Sequence, residues 1–415
     1  MTKVLVVGGG GREHAIVHAL SKSPKVDEIY AAPGNAGIAK LAMCVNIKDT
    51  EVEKIVQFAK AEKMDLVVVG PEASLALGII DKLREAGIKA FGPTKAAAQI
   101  ESSKEFAKEL MVKYNIPTAS YKSFNNYADA LEYVKNHSLP TVIKYDGLAA
   151  GKGVVIATTY DEAVYALKDM LLDDHFGHGK VVIEEYLEGP EFSFMCFVNG
   201  ENVYPLQLAQ DHKRAYDNDL GPNTGGMGAY SPLPFITKED YQYALNEIMI
   251  PTARAMVKEN VPFTGVLYGG LMKTKSGIKV IEFNARFGDP ETEVVLPRLS
   301  SDIFDAFNQV IDGNCPVLEW EKCYTIGIVL ASKGYPGDYK KGFVIENADS
   351  SDIYHMGTKV DDNGNLVTNG GRVLFAVAKG DTLEDANKKA LALVNEIKCD
   401  NLFHRTDIGA KAYRK

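Results

Sequence analysis

The sequence holds only five cysteines in 415 residues. Cys44, Cys196, Cys315, Cys323 and Cys399 are scattered, odd in number and without metal-type spacing. That excludes a disulfide-stapled scaffold and a zinc ribbon, and suits reduced, mostly buried thiols of a cytoplasmic protein. No apolar run is long enough to cross a bilayer, and no low-complexity tract interrupts the chain. Met1-Thr2-Lys3 followed by Val4 to Val7 is a short buried strand without the layout of a signal peptide. Positive charge is also scarce: 46 Lys and Arg against 55 Asp and Glu leave a formal net charge of −9. Neither a membrane nor a nucleic-acid partner is therefore expected, whereas small phosphorylated ligands need only local cations. The length exceeds one ordinary core, so about two to four domains are expected.

What is present begins with a buried strand, Lys3 to Val7. Gly8-Gly9-Gly10-Gly11-Arg12-Glu13-His14 leads from it into the apolar helical pattern Ala15 to Leu20. Strand, glycine turn and helix N-terminus make an anion cradle from backbone N–H groups and the helix dipole. The dinucleotide fingerprint fails twice: Glu13 stands at its third glycine position, and the next strand ends in Ala32-Pro33-Gly34-Asn35, with no acid for a ribose. The expectation is a phosphate or phosphosugar site; a glycine turn that only packs helix on strand is the alternative. Asp65 to Val69, ending in Gly70-Pro71-Glu72, and Lys89 to Pro93 read as further parallel strands around a helix from Leu75 to Ala86. This alternation predicts a doubly wound α/β domain whose ligand edge gathers Gly8 to Glu13, Asn35, Pro71 and Glu72.

Phe263 to Lys273 and Val280 to Arg286 read as a hairpin closed by Thr274-Lys275-Ser276-Gly277. Strand alternation sends Ile281 and Phe283 to one face and Glu282, Asn284 and Arg286 to the other. Two hard oxygen ligands for Mg²⁺ then stand in one row with a guanidinium fork for phosphate or carboxylate. A solvated strand face is the bland alternative.

Thr94 to Tyr114 reads as one helix with Ser102-Ser103-Lys104 inside it. After a small α/β stretch, Thr141 to Lys144 runs into the glycine loop 147–153, which contains Gly147, Gly151, Lys152 and Gly153, and then into Val154 to Ala157. A Walker A loop needs a helix after its lysine, and Val154 to Ala157 is β-branched. A strand–loop–strand lid over a triphosphate fits better, with Lys144 meeting a phosphate as a point charge. Val181 to Glu191 is another strand, whose backbone around Glu185 and Leu187 suits an adenine edge and whose Glu191 suits ribose hydroxyls. Gln210 to Tyr230 reads as a long polar loop that orders over substrates. His212, with no visible partner, carries little weight as a base.

Lys144, the 147–153 loop, Glu184 to Glu191 and the Glu282/Asn284/Arg286 row resemble the ATP-grasp superfamily. The runs VVGGGGREHAI, KYDGLAAGKGVVIA, QDHKRAYDNDLGPNTGGMGAYSP, EFNARFGDPETE and RTDIG resemble, almost end to end, the phosphoribosylamine–glycine ligase family. The resemblance implies a multidomain α/β and α+β fold: an N-terminal doubly wound domain (1–98), an ATP-grasp body (99–319) with a mobile lid (about 121–187), and a small C-terminal α/β domain (320–415). It implies ligation of glycine to 5-phosphoribosylamine with ATP as co-substrate and Mg²⁺ or Mn²⁺ on Glu282 and Asn284. Lys104, Lys144, Gly147, Gly151, Lys152, Gly153, Glu184, Glu185, Tyr186, Leu187 and Glu191 would hold the nucleotide. Gly8, Gly10, Gly11, Arg12, Asn35, Pro71, Glu72, Gly288 and Asp289 would serve the other substrates. Arg286, Lys144, Asp211 and Lys213 would act at the reacting groups. A cytoplasmic monomer or weak dimer with small-molecule partners is implied. Another ATP-grasp carboxylate–amine ligase and a non-catalytic nucleotide sensor are the rivals.

Overall fold

The computed structural model describes residues 1–148, 153–173 and 179–413. Five parallel strands form the first sheet, in the order Met43–Cys44, Glu28–Pro33, Lys3–Gly8, Leu66–Val69, Ala90–Phe91. Alternate residues feed opposite cores. Leu5, Val7, Val67 and Val69 join Ile55, Ile79 and Leu83, whereas Val4, Val6, Leu66 and Val68 join Ile16, Val17 and Leu20. Helices thus cover both faces, which is why these strands are apolar throughout.

Two expected helices are each broken. Leu75 to Ala86 is divided into Glu72–Ala76 and Ile79–Glu85 at Gly78, whose φ of +84° no helix accommodates. The stretch 94–114 contains Gln99–Ser102 and Lys104–Lys113, because Ser103 turns extended and its Oγ accepts from the Phe106 amide at 3.1 Å. Asp146, just past the strand Thr141–Tyr145, accepts from the Lys104 amide at 2.6 Å and so ties that helix start to the lid.

The lid is an antiparallel sheet in the order Tyr121–Phe124, Val181–Glu185, Thr141–Tyr145, Val154–Ala157, with helices Tyr127–Lys135 and Tyr160–Leu171. Phe124, Ile143, Leu167, Val181 and Ile183 belong to a core cluster distinct from the two that fill the rest of the molecule. A unit with its own core can shift as a body. Facing it is a second antiparallel sheet, in the order Asn202–Pro205, Glu191–Asn199, Thr264–Thr274, Gly277–Asn284, which contains the expected hairpin.

The third large sheet joins Tyr324–Ser332, Arg372–Gly380 and Ile353–His355 to two strands from the middle of the chain, Gln210–Asp211 and Gly228–Ser231. The segment 210–230 is therefore not the plain loop expected. Its ends are sheet strands, and between them Arg214–Tyr216 pairs with Leu220–Asn223. Arg405, fully buried, holds it in place: its guanidinium bonds both oxygens of Asp407 at 2.8 Å, the Arg214 carbonyl at 2.9 Å and Asp219 at 3.1 Å. Charge–charge pairing in chain segments so far apart leaves no periodic trace in sequence.

Arg405→Met is expected to lower the melting temperature clearly, since removing one partner of a buried pair costs about 3–5 kcal/mol, less here because Asp219 and Asp407 are partly exposed. Burial pushes the Asp407 carboxyl up, but Arg405 outweighs it and holds the group below the ordinary carboxylate range. This contribution is complete above the unfolded pKa, near 3.9, and disappears as pH falls through the lower folded value. Thermal melts at neutral and acid pH check both points; an unchanged melt at neutral pH refutes them.

No described helix is long and apolar enough to cross a membrane. All five cysteines are free, but only Cys196 is buried; Cys44 and Cys315 are exposed, so the expectation of mostly buried thiols does not hold.

Candidate active site

A cavity of about 1020 Å³ lies between the lid sheet and the hairpin sheet and extends to the N-terminal domain and the C-terminal sheet. The hairpin supplies its floor. Val280 pairs with Leu271 and Glu282 with Gly270, leaving Ile281 as the extra residue of a bulge. The bulge changes the expected alternation: Val280 stays buried away from the cavity, whereas Ile281, Glu282, Phe283 and Asn284 all border it. It also removes Ile281's carbonyl from regular pairing, and that oxygen accepts from Lys144 Nζ at 2.9 Å. The strand stops at Asn284, and Arg286 lies beyond it.

The Glu282 side chain makes no hydrogen bond or ion pair among the described residues. Burial pushes its pKa up, but Lys213, Lys144, Lys104 and Arg286 outweigh this and hold the carboxyl below its ordinary value. Asn284 Oδ1 accepts from Arg286 Nη2 at 3.3 Å. Arg286 also meets Glu101 at 2.9 Å and, through Nε, Glu72 at 3.5 Å.

The lysines along the lid side of the cavity are spaced by protein carboxylates. Glu184, 5 % exposed, sits between Lys144 at 3.0 Å and Lys108 at 3.1 Å. Burial lowers Lys108 to about 8. Lys104 Nζ donates to the Gly147 carbonyl at 2.9 Å. Gly147, Gly153, Glu185, Tyr186, Leu187 and Glu191 line the same cavity. Gly151 and Lys152 lie outside the described residues. Opposite, Lys213 pairs with Glu191 at 3.1 Å, and this carboxylate, foremost, raises its pKa. Asp211 Oδ1 is buried without a partner; burial and then Glu291 raise its pKa.

The N-terminal turn reaches this cavity through Arg12, not through its glycines. Gly8, Gly10 and Gly11 are absent from the lining, as are Asn35, Pro71 and Gly288. The Gly10 amide donates to Glu13 Oε2 at 2.7 Å and the Arg12 amide to Asp289 Oδ2 at 3.4 Å, so side-chain carboxylates occupy part of the cradle. Asn35 is engaged with the Gly9 and His355 carbonyls and the Gly37 and Ile38 amides. Arg12 Nη2 meets Glu72 at 3.4 Å; against the upward push of burial, Arg12 and Arg286 bring Glu72 down to about 2. His212 is fully buried, with Nε2 accepting from the Gly409 amide at 3.2 Å and burial lowering its pKa to about 3. It clamps the C-terminal segment and does not face the cavity.

The sequence reading missed Glu101, Lys108, Tyr268, Glu291, Tyr335 and Arg372, which all line the site. For Lys108 a signal was present: it follows Lys104 at i+4, on the same helix face.

Two antiparallel sheets facing each other across lysines and a carboxylate–amide–arginine floor define an ATP-grasp enzyme, a class that uses ATP. The fold is shared with biotin carboxylase from Campylobacter jejuni, at a TM-score of 0.75, 13% identity and coverage of 97% and 93% of the two chains. Family models match more narrowly: the phosphoribosylglycinamide synthetase N domain over residues 2–101, its ATP-grasp (A) domain over 102–292 and its C domain over 325–411. The chain belongs to the phosphoribosylglycinamide synthetase family. It is 53% identical to a phosphoribosylamine–glycine ligase of Halalkalibacterium halodurans, covering 99% of this chain and 97% of that one. A Listeria monocytogenes protein of the same name is 50% identical, with 99% of each chain covered. The Thermotoga maritima phosphoribosylamine–glycine ligase structure superposes at a TM-score of 0.88, with 35% identity and 98% and 100% coverage.

Proposed function

We propose that this protein ligates glycine to 5-phosphoribosylamine with cleavage of ATP, giving glycinamide ribonucleotide, ADP and phosphate in purine synthesis. The observation that carries the reading is that Arg12, from the N-terminal glycine turn, and Arg286, beyond the hairpin floor, face one cavity and share Glu72. A phosphosugar amine and an activated acid can meet there.

A carboxylate is a poor electrophile. One glycine carboxylate oxygen attacks the γ-phosphorus and ADP departs, leaving glycyl phosphate. The amine nitrogen then attacks the acyl carbon, phosphate leaves with that oxygen, and the nitrogen gives up one proton. Positioning and charge neutralisation supply the catalysis. Lys104 and Lys144, with Lys152 of the lid, steady the phosphates. Backbone groups of Glu185 to Leu187 receive the adenine and Glu191 the ribose. Asp211 takes glycine's ammonium, which provides its orphaned oxygen with a partner, while Lys213 and Arg286 face the carboxylate. Arg12 faces the sugar phosphate, with Glu72 and Asp289 beside it in the cavity wall, while the turn Gly8 to Gly11 carries Arg12 from behind; Asn35, Pro71 and Gly288, expected here, lie outside the lining.

Glu282 and Asn284 fit a Mg²⁺ or Mn²⁺ ion: Glu282 is an unpaired carboxylate and Asn284 an amide oxygen, both hard donors, and phosphate oxygens and water complete such a shell. When bound, the ion would supply neutralisation of phosphate charge. The divisions 1–98, 99–319 with its lid, and 320–415 are part of this reading: the five-stranded parallel sheet lies within the first and the lid core within the second, although strands Gln210–Asp211 and Gly228–Ser231 of the second join the sheet of the third. A cytoplasmic monomer suits small-molecule partners.

ADP release is expected only with glycine and phosphoribosylamine together. With ¹⁸O in the glycine carboxylate, one label should reach phosphate in each turnover. Unlabelled phosphate, or equal turnover with other acids and amines, overturns the reading.

A further inference from the structure

Arg372 opens the strand Arg372–Gly380, directly after the turn 369–371, and its side chain lines the cavity. Its Nη1 donates to the Gly225 carbonyl at 2.8 Å and the Asp289 carbonyl at 3.3 Å, and stands 2.8 Å from Asp289 Oδ1. The other Asp289 oxygen accepts from the Arg12 amide, in the first turn of helix Gly11–Leu20. The Gly225 amide donates to Tyr335 Oη at 2.9 Å. A Cβ on Gly225 would fall 3.2 Å from both Arg372 Cζ and Tyr335 Oη, so the chain there rests directly on both side chains.

One guanidinium therefore joins three distant stretches: the glycine turn through Asp289, the segment after Arg286, and the polar segment that carries Asp211 and Lys213. The C-terminal domain has no other described side chain on Asp289. Burial of this charge is offset chiefly by Asp289, so the pair is set in low dielectric, where geometry matters most.

We propose that Arg372 is a positioning residue for the ligation. Resting on the ligase reading, it fixes Asp289 against the N-terminal turn and Gly225 over the cavity, and thereby shapes the wall that receives the phosphosugar amine. The nucleotide end, held by Lys104, Lys144 and the lid, does not depend on it. Lysine replaces it only in part: one nitrogen, Nη1, makes all three contacts, so an ammonium can form some of them, but as a strongly hydrated point charge it is costlier to bury than a guanidinium.

The test uses the full chain, with each of the three substrates varied in turn, in Arg372→Met, Arg372→Lys, Asp289→Asn and the double variant Arg372→Met/Asp289→Asn. Arg372→Met should raise KM for phosphoribosylamine by about 10–100-fold, the range for losing a charge-assisted hydrogen bond. KM for ATP should hold, KM for glycine should rise less than that for phosphoribosylamine because Asp211 and Lys213 share the segment Arg372 holds, and Arg372→Lys should recover part of the loss. Adding Arg372→Met to Asp289→Asn should cost little more, since both remove one link. Uniform KM changes, full additivity, or a loss of activity that only follows melting temperature overturns the inference. Wild-type protein that does not join these substrates overturns the ligase reading, and the inference with it.

Discussion

Glu282→Ala is expected to yield a folded protein with turnover reduced by at least about 10–100-fold, the loss typical of merely outer-shell residues at a metal. The Glu282 carboxylate has no hydrogen-bonding partner among the described residues, so its removal strands no buried donor, and melting should hold. Its charge is opposed by Lys213, Lys144, Lys104 and Arg286. Deleting the carboxylate leaves four cations facing the phosphates, so metal-free nucleotide should bind as tightly as before or tighter. Mg-nucleotide should bind more weakly. That inversion separates loss of a metal ligand from general damage to the cavity, which would weaken both. Calorimetry with and without Mg²⁺ measures it, alongside ADP release. Near-normal turnover at ordinary Mg²⁺ defeats the assignment.

Much of this architecture is legible in the chain because local chemistry and tertiary role agree. Val4 to Val7 is apolar throughout and is buried on both faces; the 274–277 turn closes the hairpin as read. The misreadings arise where one residue changes the geometry. Gly78 and Ser103 break helices that apolar periodicity runs through. The bulge at Ile281 shifts a face with no glycine or proline in its own strand to mark it; Gly270 stands at the register shift, but on the partner strand. The site was legible where its residues share a strand or loop. It was not where they meet from afar: Arg372, Tyr335 and Glu101 reach the cavity from the start of a strand, a turn and a short helix. The buried Glu184 between two lysines is similar. An acidic strand end suggests solvent, and only the fold shows both cations within ion-pair distance.

Arg286→Ala should lower kcat by about 10²–10³-fold, the usual loss for one preorganised charge-stabilising donor, with ATP affinity little changed. The structure separates its two duties. Toward the cavity, on the proposed reading, it meets the transferred group. Behind, it bonds Glu101 at 2.9 Å and, with Arg12, holds Glu72. Burial raises the Glu101 carboxyl and Arg286 opposes that rise. Without the arginine Glu101's pKa climbs further, so milder acid suffices to protonate it and relieve the buried charge. Folding should therefore survive, and the variant should gain stability as pH falls, since a group with raised folded pKa stabilises below that value and loses the contribution above it. Arg286→Lys keeps a charge near Glu101 but cannot engage Glu101, Glu72 and Asn284 together, so its kcat should lie between the two. Melting curves from acid to alkaline pH, beside single-turnover ADP formation, test both duties. A variant that unfolds at every pH, or one that keeps full kcat, removes Arg286 from the transfer step.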